Sequence, residues 1–271
     1  MSARGDEARG RIAQAFARAK DDGRPALVPY VTAGDPSLAA TRVIVGALAR
    51  GGADVVELGV PFSDPIADGE VNQRAAERAL RNGVGLRSVL DLAGDLTRGP
   101  SPPIVLYTYY NPIHRMGLEA FARGAGRAGV AGVLVTDLPP EEAGDLRQAL
   151  RPVGVDLVFL LAPTSSKERR ELVLRSGGGF VYFISRTGVT GAREDLPAGL
   201  EAQVREARAA SRLPVAVGFG ISRPEHVRAV SAFADGVVVG SALVGLVEEM
   251  GETPELAGRV ESFCRALRGG P

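Results

Sequence analysis

Cysteine is almost absent from this sequence, which has a single one, Cys264, among 271 residues. One cysteine excludes a disulfide bond within the chain, and so low a content is typical of proteins in a reducing cytosol. The first residues mix acids and bases and lack the apolar core of a secretory signal peptide. We therefore expect no export signal and a cytoplasmic location.

An excess of charge of either sign is also lacking, because 32 basic side chains balance 32 acidic ones. A formal net charge of zero gives no field that would attract nucleic acid or an anionic membrane surface. No apolar run approaches the roughly 20 residues of a membrane-spanning helix. The two histidines, His114 and His226, have no second ligand at metal-binding spacing, so we expect no metal site. These absences favour a soluble protein that binds neither nucleic acid nor membranes.

The sequence does contain a regular alternation of short β-branched runs with longer amphipathic segments. Most of the runs are continuously apolar, which is typical of parallel strands buried on both faces. We predict eight strands: ALVPYVTAG, DVVELGV, PIVLYTYY, GVLVTDL, DLVFLLAP, FVYFIS, PVAVGFG and DGVVVGSAL. An amphipathic segment, RGRIAQAFARAKDDG, precedes the first strand, and SALVGLVEE follows the last as a further helix.

Eight strand–helix units without a linker predict one α/β domain over residues 1–271. We expect a (β/α)8 TIM barrel with an extra N-terminal helix and a short extra helix after strand 8, since about 250 residues is typical of that fold. An open doubly wound sheet is the alternative, but no G-x-G-x-x-G turn follows the first strand. Active sites of such barrels lie at the C-terminal ends of the strands.

A glutamate interrupts the second apolar run, in the stretch VELGVPFSDPIADGEVNQ (56–73). Side chains alternate along a strand, so Glu57 shares a face with Val55 and Gly59 and projects into the barrel if that face is the inner one. The eight runs contain no lysine or arginine, so a compensating cation would have to come from a loop. An unpaired carboxylate in an apolar lumen has a raised pKa and suits general acid–base catalysis.

Three further acids follow in the same stretch. Asp68 is either a catalytic residue or a turn former, because Asp-Gly pairs are common in turns. Asp64, which precedes a proline, is interpreted as a turn or capping residue. Glu70 resembles a first-turn helix carboxylate that faces the positive end of the helix dipole.

Two glycine-bearing stretches, GFGIS (218–222) and GSALVGLVEE (240–249), follow strands 7 and 8. In barrels these two loops and a short extra helix often hold a phosphate through backbone N–H groups. Ser241 would cap that helix. Alternatively, the glycines serve only tight turns. The polar loop SRTGVTGARED (185–195) is interpreted as a lid over bound substrate, with an ordinary surface loop as the alternative.

Several of these stretches together resemble the tryptophan synthase alpha subunit family. VPYVTAGDP, ELGVPFSDPIADG, YFISRTGVTG, GFGIS and GSALV occur in that family's order and spacing over nearly the whole chain. The resemblance implies a TIM barrel that cleaves indole-3-glycerol phosphate to indole and glyceraldehyde 3-phosphate by a retro-aldol reaction. The residues that it implies are Glu57 and Asp68 for catalysis, Gly191, Gly220, Gly240 and Ser241 for phosphate with the lid residue Thr190 beside them, and Tyr30, Tyr107 and Tyr182 around the indole.

The resemblance also implies a partner. Members of the family work with a beta subunit in an α2β2 complex, and indole passes between the subunits through a tunnel. Pyridoxal phosphate belongs to that beta subunit, so no cofactor is expected in this chain. We expect the docking surface at YYNPIHRMG (109–117) and PFSDP (61–65), with Tyr109, Tyr110 and Pro112 exposed. A self-packed loop is the alternative.

One stretch departs from the family pattern. The family reads Asp-Gly-Pro and then an apolar residue before the glutamine, whereas this chain reads DGEVNQ, with Glu70 and Asn72 at those positions. Loss of the proline frees a backbone angle, so we expect a more mobile Asp68 loop in the absence of a partner. Three other functions stay open: a stand-alone lyase that releases free indole, a catalytically silent regulatory barrel, and an unrelated phosphosugar-binding barrel.

Overall fold

Eight parallel strands form a closed barrel in the computed structural model, which describes residues 10–184, 199–218 and 220–269. Each strand pairs with the next in sequence, and the last pairs with the first. The strands are β1 (Ala26–Thr32), β2 (Val56–Gly59), β3 (Ile104–Thr108), β4 (Gly132–Val135), β5 (Asp156–Leu161), β6 (Val181–Ile184), β7 (Val215–Gly218) and β8 (Gly236–Val239). The predicted TIM barrel and its eight strands are confirmed.

Helices surround the barrel, and both predicted extra helices are among those in the described residues. They are α1 (Arg11–Asp21), α2 (Leu38–Gly51), α3 (Glu70–Arg81), α4 (Leu86–Leu96), α5 (Tyr110–Met116), α6 (Leu118–Arg127), α7 (Gly144–Leu150), α8 (Lys167–Ser176), α9 (Leu200–Ala210), α10 (Pro224–Ser231), α11 (Ser241–Met250) and α12 (Leu256–Arg268). The N-terminal helix is α1, and the short helix after strand 8 is α11.

Alternation along β2 divides its side chains between two buried layers. Val55, just before β2, belongs to the inner layer, whereas Val56 and Leu58 pack in the outer layer against the helices. Because side chains alternate, Glu57 points with Val55 into the lumen, as predicted. Glu57 is in register with Tyr30 of β1 and with Val105 of β3.

Helix α1 closes the end of the barrel opposite the C-terminal ends of the strands. Its buried side chains include Ile12 and Phe16, and the Phe16 ring stacks on Phe180 with centroids 5.5 Å apart. Glycines at the starts of two strands make room for them: a Cβ on Gly132 would lie 2.9 Å from Ile12, and one on Gly236 would lie 2.7 Å from the Phe16 ring. The floor of the lumen is therefore apolar and tightly packed.

Helix α12 packs on α2 through the single cysteine. Cys264 is buried, and a Cβ added to Gly51 of α2 would lie 2.6 Å from the Cys264 Cβ. Burial raises the pKa of the Cys264 thiol to about 12, so the side chain acts as a small apolar group in this helix contact.

Candidate active site

A cavity at the C-terminal ends of the strands brings most of the predicted site residues together. The space between its lining atoms, including the part open to solvent, is about 420 Å³. The lining residues are Tyr30, Glu57, Ala67, Asp68, Asn72, Tyr107, Tyr182, Gly220, Gly240 and Ser241. Eight of the ten residues predicted for the site are thus in one cavity, and the other two, Thr190 and Gly191, lie outside the described residues.

Glu57 is a buried carboxylate without a compensating charge. The side chain is 1% exposed, and its Oε1 atom has no hydrogen-bond partner. Desolvation raises the pKa of Glu57 to about 8 from an ordinary value of 4.5. The residue therefore holds a proton at neutral pH and can donate it to a substrate atom in the cavity.

Asp68 is also buried, although it lies on a loop beyond the end of β2. It is 6% exposed, and desolvation raises the pKa of Asp68 above its ordinary value. Hydrogen bonds from Tyr109, Tyr107 and Asn72 oppose this shift. The Tyr109 hydroxyl donates to Oδ2 at 2.8 Å, and the Tyr107 hydroxyl donates to Oδ1 at 3.4 Å. Donors from the protein itself thus favour the charged form of Asp68 in its buried position.

Tyr109 connects strand β3 to the loop that carries Asp68. Besides donating to Asp68, its hydroxyl accepts the backbone N–H of Ala67 at 3.0 Å, and its ring stacks on Phe62 with centroids 4.9 Å apart. The expectation that Tyr109 is exposed at a docking surface is wrong, because the residue is 2% exposed. Tyr110 and Pro112 are partly buried, whereas Ile66 in the same loop as Asp68 is 80% exposed.

Three tyrosines form the walls of the cavity. The Tyr30 and Tyr107 rings meet edge to face with centroids 5.1 Å apart. Glycines give two of the rings their space: a Cβ on Gly59 would lie 2.3 Å from the Tyr30 hydroxyl, and one on Gly218 would lie 2.3 Å from the Tyr182 hydroxyl. Burial raises the pKa of Tyr30, Tyr107 and Tyr182 well above 10, so all three hydroxyls stay protonated.

The glycine-rich end of the cavity has the features of an anion site. Gly240 immediately precedes α11, and Ser241 is its first residue, so the first N–H groups of that helix have no acceptor within the helix. Gly220 adopts a left-handed φ of 87°, which favours glycine. The cavity lining within the described residues contains no lysine or arginine. An anion here would be held by backbone N–H groups and the helix dipole.

The two remaining acids of the catalytic stretch are outside the cavity, as predicted. Asp64 belongs to the turn before Asp68, where its backbone carbonyl accepts the N–H of Ile66 at 2.9 Å. Glu70 is the first residue of α3.

A larger depression lies at the opposite end of the barrel, between α1, α9 and the starts of β7 and β8. Two of its three arginines are engaged by acids: Arg208 donates to Asp235 at 2.6 Å, and Arg24 donates to Asp54 at 2.6 Å. It contains no buried acid pair, so we assign the chemistry to the smaller cavity at the mouth.

The part of the chain that the structure describes has neither a metal-ligand cluster nor a membrane-spanning helix. Within the three described ranges, no cluster of three histidine, cysteine or acidic side chains could hold a metal ion. None of the helices in those ranges is long and apolar enough to cross a membrane.

Sequence reasoning missed the role of two residues that the structure brings to Asp68. Tyr109 was assigned to the surface, although its place at the end of an apolar strand could have indicated burial. Asn72 was noted only as a departure from a family pattern. Asn72 precedes Ala75, Ala76 and Ala79 by three, four and seven residues. This spacing places all four residues on one face of a helix, and the alanines indicate that the face is buried.

Comparisons with known proteins identify the relatives of this chain. The family model described as tryptophan synthase alpha chain matches residues 16–268. A tryptophan synthase alpha chain from Solibacter usitatus is 50% identical over 260 residues, which cover 96% of this chain and 97% of the relative.

Solved structures agree with that match. Tryptophan synthase subunit alpha from Legionella pneumophila superposes with a TM-score of 0.87 at 36% identity, covering 96% of this chain and 97% of that one. A chain from the tryptophan synthase α2β2 complex of the hyperthermophile Pyrococcus furiosus superposes with a TM-score of 0.84 at 43% identity, covering 90% of this chain and 98% of that one.

Proposed function

This chain belongs to the tryptophan synthase alpha chain family, and we propose that Glu57 and Asp68 perform the family's reaction in the cavity at the barrel mouth. The chain is a carbon–carbon lyase that cleaves indole-3-glycerol phosphate to indole and glyceraldehyde 3-phosphate in tryptophan biosynthesis. The observation that carries the proposed roles is the contrast between a buried, unpaired Glu57 and an Asp68 that two tyrosine hydroxyls hydrogen-bond.

Glu57 serves as the acid and the base of the cleavage. Its proton goes to C3 of the indole ring, which becomes an electron-poor indoleninium. The glycerol hydroxyl next to the ring then gives its proton to the Glu57 carboxylate. As the C–O double bond of the aldehyde forms, the electrons of the C3–carbon bond return to the ring and release indole. A pKa of Glu57 near 8 suits both transfers, because neither protonation state is strongly disfavoured near neutral pH.

Asp68 stabilises the positive charge that develops on the ring nitrogen. Its carboxylate accepts the indole N–H, and this interaction strengthens as the ring becomes an indoleninium, so it lowers the barrier rather than only binding substrate. The hydrogen bonds from Tyr107 and Tyr109 favour the charged form of Asp68 in its buried place.

Phosphate binds at the opposite end of the substrate. Gly220, Gly240 and Ser241 line the cavity there, and the N-terminus of α11 supplies unpaired N–H groups and its dipole. By resemblance, Thr190 and Gly191, which lie between β6 and α9 in the sequence, complete this site. Tyr30, Tyr107 and Tyr182 pack around the indole. The carboxylates supply all the proton transfers, so the proposal requires no cofactor in this chain.

A beta subunit is the proposed partner. The related structure from Pyrococcus furiosus is described as a mutually activating α2β2 complex. Here Ile66 is 80% exposed on the same loop as Asp68, so a subunit that covers it would contact the catalytic loop directly. Pyridoxal phosphate, needed for the later synthesis of tryptophan, is expected in that partner.

The test is the rate of indole formation from indole-3-glycerol phosphate, with and without a beta subunit. Wild type is compared with Glu57→Gln and Asp68→Asn. We expect Glu57→Gln to lose at least a hundredfold in kcat, because removal of a general acid–base typically costs about 10²–10⁴-fold. Near-normal indole release by Glu57→Gln would disprove the assigned role. Equal rates with and without the partner would favour a stand-alone lyase.

A further inference from the structure

Asn72 is the polar residue on an otherwise alanine-lined face of α3. It shares that face with the buried residues Ala75, Ala76 and Ala79, at the spacing of successive helix turns. Asn72 lies at the N-terminal end of the face, where it lines the cavity together with Glu57 and Asp68. An amide at this point reaches the cavity, whereas the alanines below it pack against the barrel.

The two ends of the Asn72 amide have different surroundings. A hydrogen bond from Asn72 is among the contacts that favour the charged form of Asp68. An ionised carboxylate only accepts hydrogen bonds, so the NH₂ end of the amide faces Asp68. The Oδ1 atom is then turned away from Asp68. It is buried and has no hydrogen-bond partner.

Within the described residues, only three buried side-chain polar atoms are unpaired: Arg24 Nε, Glu57 Oε1 and Asn72 Oδ1. The first is far from the cavity, in a cluster with Asp22 and Asp54. The other two belong to residues that line the cavity. Buried polar atoms without a partner destabilise a protein, so two of them in one cavity indicate groups that a ligand satisfies.

This inference rests on the proposed function and assigns one more contact to the substrate. Indole-3-glycerol phosphate has three donors besides its phosphate: the indole N–H, the hydroxyl next to the ring and the second hydroxyl of the glycerol. Asp68 takes the N–H, and Glu57 takes the hydroxyl that loses its proton. We propose that Asn72 Oδ1 accepts the second glycerol hydroxyl, while the NH₂ end of the same amide holds Asp68 in place.

The experiment compares two ligands that differ in the hydroxyls. One is indole-3-glycerol phosphate, and the other is indole-3-propyl phosphate, in which hydrogen replaces both hydroxyls. In Asn72→Leu, which keeps the size of the side chain but removes its polar atoms, we expect KM for the natural substrate to rise about tenfold, as for one lost hydrogen bond. The inhibition constant of indole-3-propyl phosphate is expected to rise clearly less than KM does, because the loss of support for Asp68 affects both ligands, whereas the hydroxyl contact is lost only with the natural substrate.

Glu77→Gln, an exposed change on the same helix, is the control for effects on folding and should match wild type with both ligands. The inference is overturned if Asn72→Leu weakens both ligands equally, which would mean a purely structural role, or if it weakens neither. It is also overturned if only kcat and its pH profile change, since Asn72 would then act through Asp68 alone. Absence of indole release by wild type, with and without a beta subunit, would instead refute the proposed function.

Discussion

At the scale of single residues, the two acids of the cavity differ in what surrounds their oxygens. Both are buried, and desolvation raises the pKa of each. Asp68 accepts hydrogen bonds from two tyrosine hydroxyls, whereas Glu57 Oε1 has no partner. Hydrogen-bond supply, rather than exposure, therefore distinguishes the two carboxylates, because the tyrosine hydroxyls favour the charged form of Asp68 and Glu57 Oε1 has no such donor.

The raised pKa of Glu57 predicts a pH-dependent loss of stability. Between pH 4.5 and about pH 8 the folded chain keeps a proton on Glu57 that the unfolded chain has released. The free energy of unfolding therefore falls as pH rises through this window, with a slope of up to about 1.4 kcal/mol per pH unit from this group. Glu57→Gln lacks this titration. We therefore expect the free energy of unfolding of Glu57→Gln, relative to that of wild type, to be higher at pH 8 than at pH 5.

Urea unfolding of both proteins at the two pH values measures this difference. Glu77→Gln, an exposed change, serves as the control and should show the same offset from wild type at both pH values. An offset of Glu57→Gln that does not grow with pH would contradict the proposed burial of a protonated Glu57.

Tyr109→Phe tests how the Asp68 loop is held. The change removes a donor from Asp68 and an acceptor from the Ala67 N–H, while the ring can still stack on Phe62. We expect stability to fall by about 1–3 kcal/mol and kcat to fall by at least about tenfold, since a buried hydrogen bond to a charged group is lost. Tyr110→Phe, in the next and partly exposed residue, is the matched control for thermal unfolding and for indole release. Equal behaviour of the two variants would refute the role of Tyr109.

At the scale of elements, an ion-pair network joins α3, α11 and the loop after β1. Arg78 of α3 donates to Asp35 at 2.7 Å and to Glu248 of α11 at 2.7 Å, and Arg74 also donates to Glu248, at 2.8 Å. Hydrogen bonds from Arg74, and then from Arg78, lower the pKa of Glu248 to about 2. Because α3 begins just after the Asp68 loop and α11 begins at the proposed phosphate site, the network fixes the two ends of the cavity relative to each other.

Arg78→Met is expected to loosen this arrangement. Asp35 is 3% exposed, so removal of Arg78 leaves a buried carboxylate without its cation. We expect a loss of at least about 2 kcal/mol, below the value for a fully buried pair because Arg78 is partly exposed. We also expect weaker substrate binding, because Arg78 no longer links α3 to α11 and the two ends of the cavity can shift relative to each other.

Arg81→Met is the matched control on the same helix. Its partner Glu77 is exposed, so a loss of less than about 1 kcal/mol is expected. Chemical denaturation and KM measurements compare the two variants. If Arg81→Met cost as much stability as Arg78→Met, the network would have no special role.

At the scale of the whole molecule, the closed barrel depends on a match between α1 and glycines at the starts of two strands. Gly236→Ala would place a Cβ 2.7 Å from the Phe16 ring, so the floor of the lumen would have to move. We expect a loss of about 1–3 kcal/mol from overpacking.

Gly258→Ala provides the control, since a Cβ at this position of α12 meets no atom within 4 Å. It should be neutral or stabilising by up to about 1 kcal/mol, because alanine favours a helix more than glycine does. Thermal unfolding measures both changes. A neutral Gly236→Ala would show that α1 is not tightly packed in the floor.

The sequence predicted the barrel because eight apolar runs alternate with helical segments, and it predicted Glu57 because a lone acid in such a run is unusual. Burial of Asp68 was not predictable in the same way. It lies beyond the end of a strand, where local polarity indicates a loop but not which way the loop folds. The lid at 185–195, with Thr190 and Gly191, lies outside the described residues and stays a prediction, as does the single domain over 1–271.

The packing of Ile12 and Phe16 in the floor affects the route by which substrate and product enter and leave the cavity. Among the described residues, these side chains pack the base of the barrel tightly, so the cavity opens towards the C-terminal ends of the strands. A partner bound at the C-terminal ends of the strands would therefore lie on the side from which the products leave. The apolar side chains of α1, at the opposite end of the barrel from Glu57 and Asp68, thus leave indole a path towards the C-terminal ends of the strands.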